Sequence, residues 1–444
     1  MKKVTAIFDV GKTNKKLLLF DLSGRVLHEA TEQFELTTDD DGDPCENVQA
    51  LTQWIRTQWQ ALLASKKVSV TGVNFTAYGA SFVHIDGKGN PVTPLYDYMK
   101  PVPGRVQKEF YAHIKQLTGL TRQQFARTTC SPAMGLINSG LQLYWIKNYK
   151  PTLWKQIHTS LHLPQYLAFI ISGKWLTDYT SLGCHTGLWD FDSFRYARWV
   201  RGDIAKKLAP ITTQRFTYVT RKGQRIKVGC GLHDSSAALL PYRHLSAKPF
   251  ILISTGTWSI QLNPFDTTPL TTNQLRKDCL RYLQPHGQPV KASRLLLGRE
   301  YDYQVNRIAK HFHCAPDFFQ RIEFDEHLFL KVCALNDEFF PACMHGTGPR
   351  PALQTSEWNL AQFGTAQACY HCLLLHLVGL VIESIQLINP SQVETIYVDG
   401  GFARNTVFMK ILALMLPQKK IVAASLPQAT ARGAFQYLHN RVGE

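Results

Sequence analysis

Two segments of this chain repeat one local plan: a nearly continuous apolar strand, a glycine turn and a second apolar strand. VTAIFDV (4–10), the polar turn GKTNKK and LLLFDL (17–22) make the first copy. PFILIST (249–255), Gly256-Thr257 and WSIQLNPF (258–265) make the second. Apolar runs without polar alternation belong in sheets covered on both faces, so each copy predicts the opening hairpin of an α/β half. In the first half, Ser23-Gly24 turns into an alternating strand, RVLHEATEQF (25–34). Val48, Leu51, Ile55, Trp59 and Leu62 then recur at helical spacing over 46–64, and VSVTGVNF (68–75) returns as a strand. Helical patterns dominate 105–172, and a Gly/Asp/Ser-rich stretch crosses 178–193. In the second half, ETIYVDGG (394–401) is a strand ending in glycines and NTVFMKILALML (405–416) an amphipathic helix. KKIVAAS (419–425) is a strand and ATARGAFQYLHN (429–440) a helix, while the Gly- and Pro-rich segment 340–360 reads as a loop. The pattern restarts near 240–247, which predicts domains over 1–243 and 244–444.

Composition narrows the function classes. The 444 residues are 45% hydrophobic and 18% charged, which suits packed cores and excludes a wholly disordered chain. Lys and Arg total 49 against 33 Asp and Glu, a net +16, which favours anionic ligands. The basic residues are scattered, with the densest group (Lys2, Lys3, Lys12, Lys15, Lys16) flanking a glycine turn, so a nucleic-acid interface is not expected. Cys369 and Cys372 form a lone C-x-x-C in an apolar helical run without a second pair, and read as buried thiols, not zinc ligands. Reduced cysteines fit the cytosol. Residues 1–22 start basic, but Asp9 and the polar run 11–16 interrupt them, so no secretory signal is expected. The apolar stretch 372–388 contains His376, Glu383 and Gln386 and reads as a buried helix; no membrane partner is expected.

Four constellations could carry chemistry. Asp9-Val10-Gly11-Lys12-Thr13-Asn14 places a carboxylate at a strand end beside a glycine turn. Such a turn can aim backbone N–H groups at an anion, Lys12 and Lys15 add charge, and Asp9 could hold Mg²⁺ through water. Ser254-Thr255-Gly256-Thr257-Trp258-Ser259 repeats that chemistry. Asp399-Gly400-Gly401-Phe402-Ala403-Arg404-Asn405 sits at a strand-to-helix junction, where paired glycines let a phosphate or a flat ligand approach the backbone. Asn405 could bond an adenine edge or cap the helix. Gly229–Ala238 (GCGLHDSSAA) puts Asp234 at a predicted helix start, as an N-cap or as a base for an alcohol nucleophile. Taken singly, each turn also fits an ordinary hairpin or cap.

In order and spacing, DVGKTN, GLHDSSAA, STGTWS and DGGFARN resemble the FGGY carbohydrate kinases over essentially the whole chain. The pairing of HDSSAA with STGTWS, and VNFTAYGASFVHIDGKG (73–89), look most like the rhamnulokinase/fuculokinase-like branch. The resemblance implies two ribonuclease-H-like (actin-like ATPase) domains with an interdomain cleft, and ATP and Mg²⁺ as cofactors. It implies Asp234 as general base and, with Asp9, as metal-associated carboxylate. Gly11, Lys12, Thr13 and Asn14 would meet the terminal phosphate, Thr255, Gly256 and Thr257 the second phosphate face, and Gly400, Gly401, Phe402 and Asn405 the adenosine. Tyr78, Gly79, Ala80, Phe82, Tyr96, Asp97 and His233 would contact the sugar. PLYDYMKP (94–101) departs from the family pattern with Tyr96, Asp97 and Lys100, as do Lys12, Ala80 and Ser81, so the sugar is the open point. The expected substrate is a 6-deoxy-ketohexose such as L-rhamnulose or L-fuculose. Alternatives are xylulose, ribulose or glycerol, or a non-catalytic nucleotide sensor on the same fold. The resemblance also allows a homodimer.

Overall fold

The first apolar run lies where its composition demands, in the interior of a mixed sheet. In this computed structural model, which describes residues 1–220, 223–246, 248–344, 346–351, 357–424 and 426–439, the chain parts into two units. Met1–Leu245, Arg281–Gln288 and Gln428–Glu444 form the first; Ser246–Leu280 and Pro289–Pro427 form the second.

The sheet of the first unit runs in the order Phe216–Val219, Arg225–Val228, Val68–Ala77, Lys2–Val10, Lys15–Phe20, Val26–Glu32. Lys2–Val10 pairs antiparallel with Lys15–Phe20 and parallel with Val68–Ala77, and Leu232–His233 extends the sheet beside Thr76 and Ala77. Val4, Ala6, Phe8 and Val10 face a core shared with the helices Val48–Ala64 and Leu163–Ser172. Ile7, Leu18 and Phe20 face the other way, onto Ala431, Ala434 and Phe435 of the helix Ala429–His439. The predicted helix 46–64 is Val48–Ala64, capped by the Asn47 side chain.

The second unit repeats the hairpin. Phe250–Thr255 pairs antiparallel with Ser259–Asn263 and parallel with Thr395–Gly400, with Pro289–Leu295 and Lys420–Ala423 outside them. The helix Ala366–Gln386 is long and apolar enough to cross a membrane, but 67% of its most apolar window is buried inside the fold. It is the core helix that the interrupted stretch 372–388 predicted.

The structure departs from expectation in several places. Within 105–172, Thr159–His162 is a strand, paired antiparallel with Phe82–Ile85. Four residues are too short for a periodicity to separate it from the helix that follows. The second strand stops at Phe20 because Asp21 turns away, accepting from the backbone N–H groups of Ser23 and Arg25. By contacts, residues 281–288 and the helix Ala429–His439 lie with the first unit, whereas the sequence reading placed everything after 244 in one domain. Gly183 takes Leu283 so closely that a Cβ would lie 2.7 Å from it. The loop expectation over 340–360 holds for its described residues; His345 and 352–356 lie outside them, as do Ser425 and Asn440 at the ends of two predicted elements.

Candidate functional site

In the first unit, Asp234 begins the helix Asp234–Leu245, directly after the short strand Leu232–His233. That helix is seated by its neighbour: a Cβ on Gly433 would lie 1.8 Å from the Ala237 carbonyl oxygen, so only glycine permits this crossing one turn beyond Asp234. The Asp234 side chain is 34% exposed, and its Oδ1 lies 3.2 Å from His233 Nε2. His233 is buried and held from several directions. Its backbone N–H donates to Thr180 Oγ1 (2.9 Å), its Nδ1 lies 3.4 Å from Ser236 Oγ, and its Nε2 lies 3.3 Å from Cys184 Sγ. Thr180 in turn donates to the buried Asp178, which also accepts from Gln165 Nε2 (2.9 Å). Burial pushes the His233 imidazole down, but the neighbouring Cys184 sulfur and the Asp234 carboxylate outweigh it and raise the pKa to about 9. The Asp234 carboxylate thus favours the protonated form of the imidazole beside it.

Asp9 belongs to the same unit. Its Oδ1 accepts from Thr76 Oγ1 (2.7 Å). Burial raises its pKa to about 6; the Thr76 hydroxyl opposes this and the Asp234 charge adds to it. Two carboxylates offering oxygen donors fit a hard divalent cation.

The Gly11 turn differs from expectation. Gly11 N–H donates to the Asn14 carbonyl (2.9 Å), closing the turn, and the Asn14 side chain accepts from Gln33 Nε2 (2.7 Å). Lys12 is engaged by an acidic and two aromatic side chains. Its Nζ is 2.9 Å from Asp97 Oδ2 and stands over the Tyr78 and Tyr98 rings, 5.4 and 5.0 Å from their centroids. Lys15 is buried and paired with Glu46 (3.2 Å). Of the predicted phosphate residues here, Thr13 is the one whose side chain stays exposed with no partner bond among the described residues.

The sugar-side residues divide. Gly79 lies against Cys184 and His233; a Cβ there would come 2.5 Å from the sulfur. Tyr78 meets Tyr98 edge to face, and Ala80 adopts φ +63°. Asp97 joins this group through Lys12. Phe82 and Tyr96 do not. Phe82 is fully buried, stacked on His162 with ring centroids 4.0 Å apart. Tyr96 donates to Asp40 Oδ1 (2.7 Å) inside a clasp in which Lys100 pairs with Asp39, Asp41 and Asp43. Both are almost wholly enclosed by protein, a difference the sequence does not show, since an aromatic beside a glycine turn reads the same whether it faces a cleft or a core.

In the second unit, a cavity of about 760 Å³ lies among Gly256, Thr257, Gly298, Tyr301, Phe319, Tyr370, Gly401, Phe402 and Asn405. Close backbone contacts build it. A Cβ on Gly298 would lie 2.1 Å from the Gly256 carbonyl, so the helix Leu297–His311 starts against the Gly256 turn. Gly400, at φ +90°, lets its backbone reach Thr255, where a Cβ would lie 1.9 Å from the carbonyl. The Thr255 hydroxyl donates to the Asp399 carbonyl (2.5 Å) and accepts from Phe402 N–H (3.1 Å). Thr255 and Gly400 therefore brace the two loops and are not free for a phosphate; Gly256, Thr257, Gly401, Phe402 and Asn405 line the space. Asn405 takes the capping alternative: its Oδ1 accepts from Phe408 N–H (3.0 Å), and its Nδ2 donates to Tyr370 Oη (2.8 Å), which lies 2.9 Å from Tyr301 Oη. Two helix N-termini, at Gly298 and Thr406, and a cluster of aromatic faces suit an anionic ligand with a flat ring.

The sequence reading missed Tyr301, Phe319, Tyr370 and Gly298 in this unit, and Cys184, Asp178 and Thr180 in the other. Only the glycine opening LGREYDY gave a local signal, a helix that starts on a residue without a side chain. Cys369 and Cys372 are both buried, and none of the ten cysteines is in a disulfide.

Comparison with known proteins bears on the family and the fold. Residues 4–202 match the FGGY family of carbohydrate kinases, N-terminal domain, and residues 247–443 match carbohydrate kinase FGGY, C-terminal domain. A rhamnulokinase of Halalkalibacterium halodurans is 22% identical over 451 aligned positions, 96% of this chain and 91% of that protein. One from Bacteroides thetaiotaomicron is 22% identical over 405, covering 86% and 79%. Among solved structures, a carbohydrate kinase from Novosphingobium aromaticivorans superposes with a TM-score of 0.82 at 25% identity, covering 99% of this chain and 91% of that one. A ligand-bound xylulose kinase from Lactobacillus acidophilus does so with a TM-score of 0.74 at 15% identity, covering 98% and 89%.

Proposed function

The chain belongs to the FGGY family of carbohydrate kinases, ATP-dependent enzymes acting on small sugars, and from that premise we propose that it phosphorylates a ketose with Asp234 as general base. One observation carries the assignment of the base: Asp234 is a partly exposed carboxylate fixed at a helix start, with the buried His233 held against its Oδ1. An alcohol is a weak nucleophile, and an oriented carboxylate that takes its proton is the contribution a kinase side chain can make. His233 orients Asp234 by its ring, and Gln165, Asp178 and Thr180 hold His233 in place.

The 760 Å³ cavity is the proposed nucleotide site, with adenine among Tyr301, Phe319, Tyr370 and Phe402 and phosphates toward Gly256, Thr257 and Gly401. Asp9 and Asp234 would hold Mg²⁺, which when bound neutralises charge on the transferring phosphoryl group. Tyr78, Gly79, Tyr98, Asp97 and Lys12 are the proposed sugar-side group. The preferred substrate is a 6-deoxy-ketohexose such as L-rhamnulose or L-fuculose, supported by relatives of that name at 22% identity. Another ketose or a polyol is the alternative, since the Lys12–Asp97 pair puts fixed charge among the sugar-side residues. Ten unpaired cysteines support a reducing compartment.

ADP release measured over a panel of ketoses and polyols tests the substrate: turnover should be sugar-dependent and greatest with a 6-deoxy-ketohexose. Asp234→Ala should lower turnover by about 10²–10⁴-fold while leaving ATP binding intact. Wild-type turnover in that variant removes Asp234 from the chemistry.

A further inference from the structure

We propose that the second unit carries a zinc site, formed by Asp337, Cys372 and His376, with a fourth position open to water. Cys372 and His376 stand four residues apart on the helix Ala366–Gln386, so they share one face, and Asp337 reaches them from the segment after the helix Glu326–Cys333. Their ligand atoms converge. Cys372 Sγ is 3.2 Å from Asp337 Oδ2 and 3.5 Å from His376 Nε2, and His376 Nε2 is 2.8 Å from Asp337 Oδ2. A tetrahedral zinc ion, with bonds of about 2.0 Å to nitrogen and oxygen and about 2.3 Å to sulfur, holds such atoms about 3.5 Å (S···N, S···O) and about 3.3 Å (N···O) apart. The sulfur–nitrogen edge already has that length, and outward shifts of about half an ångström or less complete the triangle.

The groups behind the triangle are those that hold metal ligands in place. Trp358 Nε1 donates to Asp337 Oδ2 (2.8 Å), and Gln362 Nε2 donates to Oδ1 (2.6 Å). Phe339 stacks flat on the His376 ring, with centroids 5.0 Å apart and planes 9° apart. Cys372 is buried on a core helix, while the His376 side chain is 22% exposed, so an ion can reach the site from solvent. One imidazole, one thiolate and one carboxylate select zinc or cobalt over the hard cations magnesium and calcium. As the sulfur–metal bond forms, the thiol proton leaves to solvent. The C-x-x-C spacing is incidental, because it is the Cys372/His376 pair and not Cys369/Cys372 that faces Asp337.

The test is a titration of the full chain, stripped with a chelator and given Co²⁺ alone, independent of any kinase assay. One equivalent should bind with a thiolate-to-cobalt absorption band and a tetrahedral visible spectrum, and Zn²⁺ should displace it. Cys372→Ser should lose the band and weaken binding at least about 100-fold, more than loss of a supporting residue. Cys369→Ser should keep both. Asp337→Asn is close in shape and should also weaken binding; circular dichroism checks that each variant is folded. Absence of a thiolate band in the wild-type chain, or its persistence in Cys372→Ser, overturns the proposal.

Discussion

The two glycine turns start from the same plan and are finished by opposite means. In the first unit, the Gly11 turn is surrounded by charge: Lys15 is buried on Glu46, and Lys12 is drawn to Asp97. In the second, the Gly256 turn is held by backbone against backbone, at Gly298 and at Gly400, with one hydroxyl, Thr255, tying two loops. A strand–turn–strand unit therefore sets only where a loop lies. Whether that loop offers charge or bare N–H groups depends on what packs against it.

Substitutions can break this contrast, in descending order of effect. Lys15→Met should cost the first unit about 3–5 kcal/mol, because it leaves the buried Glu46 carboxylate without its nearest cation. Chemical denaturation reads this, and a cost below about 1 kcal/mol would mean that Lys12 replaces it. Gly298→Ala should cost about 1–3 kcal/mol and weaken nucleotide binding, since its methyl group must push the Gly256 turn aside. Calorimetric ATP titration checks it, and unchanged affinity would separate that turn from the nucleotide site.

Asp9→Asn should act in the stabilising direction. Folded Asp9 keeps its proton up to about pH 6, against an ordinary value of 3.8. The folded chain thus binds more protons between those values, and stability falls as pH rises through that window. Above it, the buried charge costs about 1–3 kcal/mol. The variant should therefore melt higher than the wild type at pH 8 without metal, with the gain gone at pH 4, and should still lose Mg²⁺-dependent turnover. Equal melting at pH 8 would show that Asp9 is not strained by its setting. Smallest of all, Gly401→Ala should change stability by less than about 0.5 kcal/mol, because its Cβ meets nothing within 4 Å. Any loss would appear in the KM for ATP alone.

Much of the fold was legible from periodicity. The two hairpins, the helix Val48–Ala64 and the strand–glycine–helix run around Gly400 fell within a few residues of expectation. The site was legible in part. Asp9, Asp234, Gly256, Gly401 and Asn405 stand out in the sequence because carboxylates and glycines at strand ends leave a mark in one dimension. The enclosure of Phe82 and Tyr96 and the pairing of Lys12 with Asp97 were not legible, because a side chain's partners, such as Asp40 or Asp97, lie on other segments and leave no mark at its own position.

The amino-acid sequence by itself determined the α/β halves and the places where backbone and carboxylates meet at strand ends, since these follow from local sterics and hydrophobic spacing. Only the tertiary structure decided which lysines were spent on carboxylates, which aromatics lined a cavity and which sealed a core. It alone brought Asp337 to Cys372 and His376. These outcomes depend on contacts between residues far apart in the chain, whose energies no local pattern encodes.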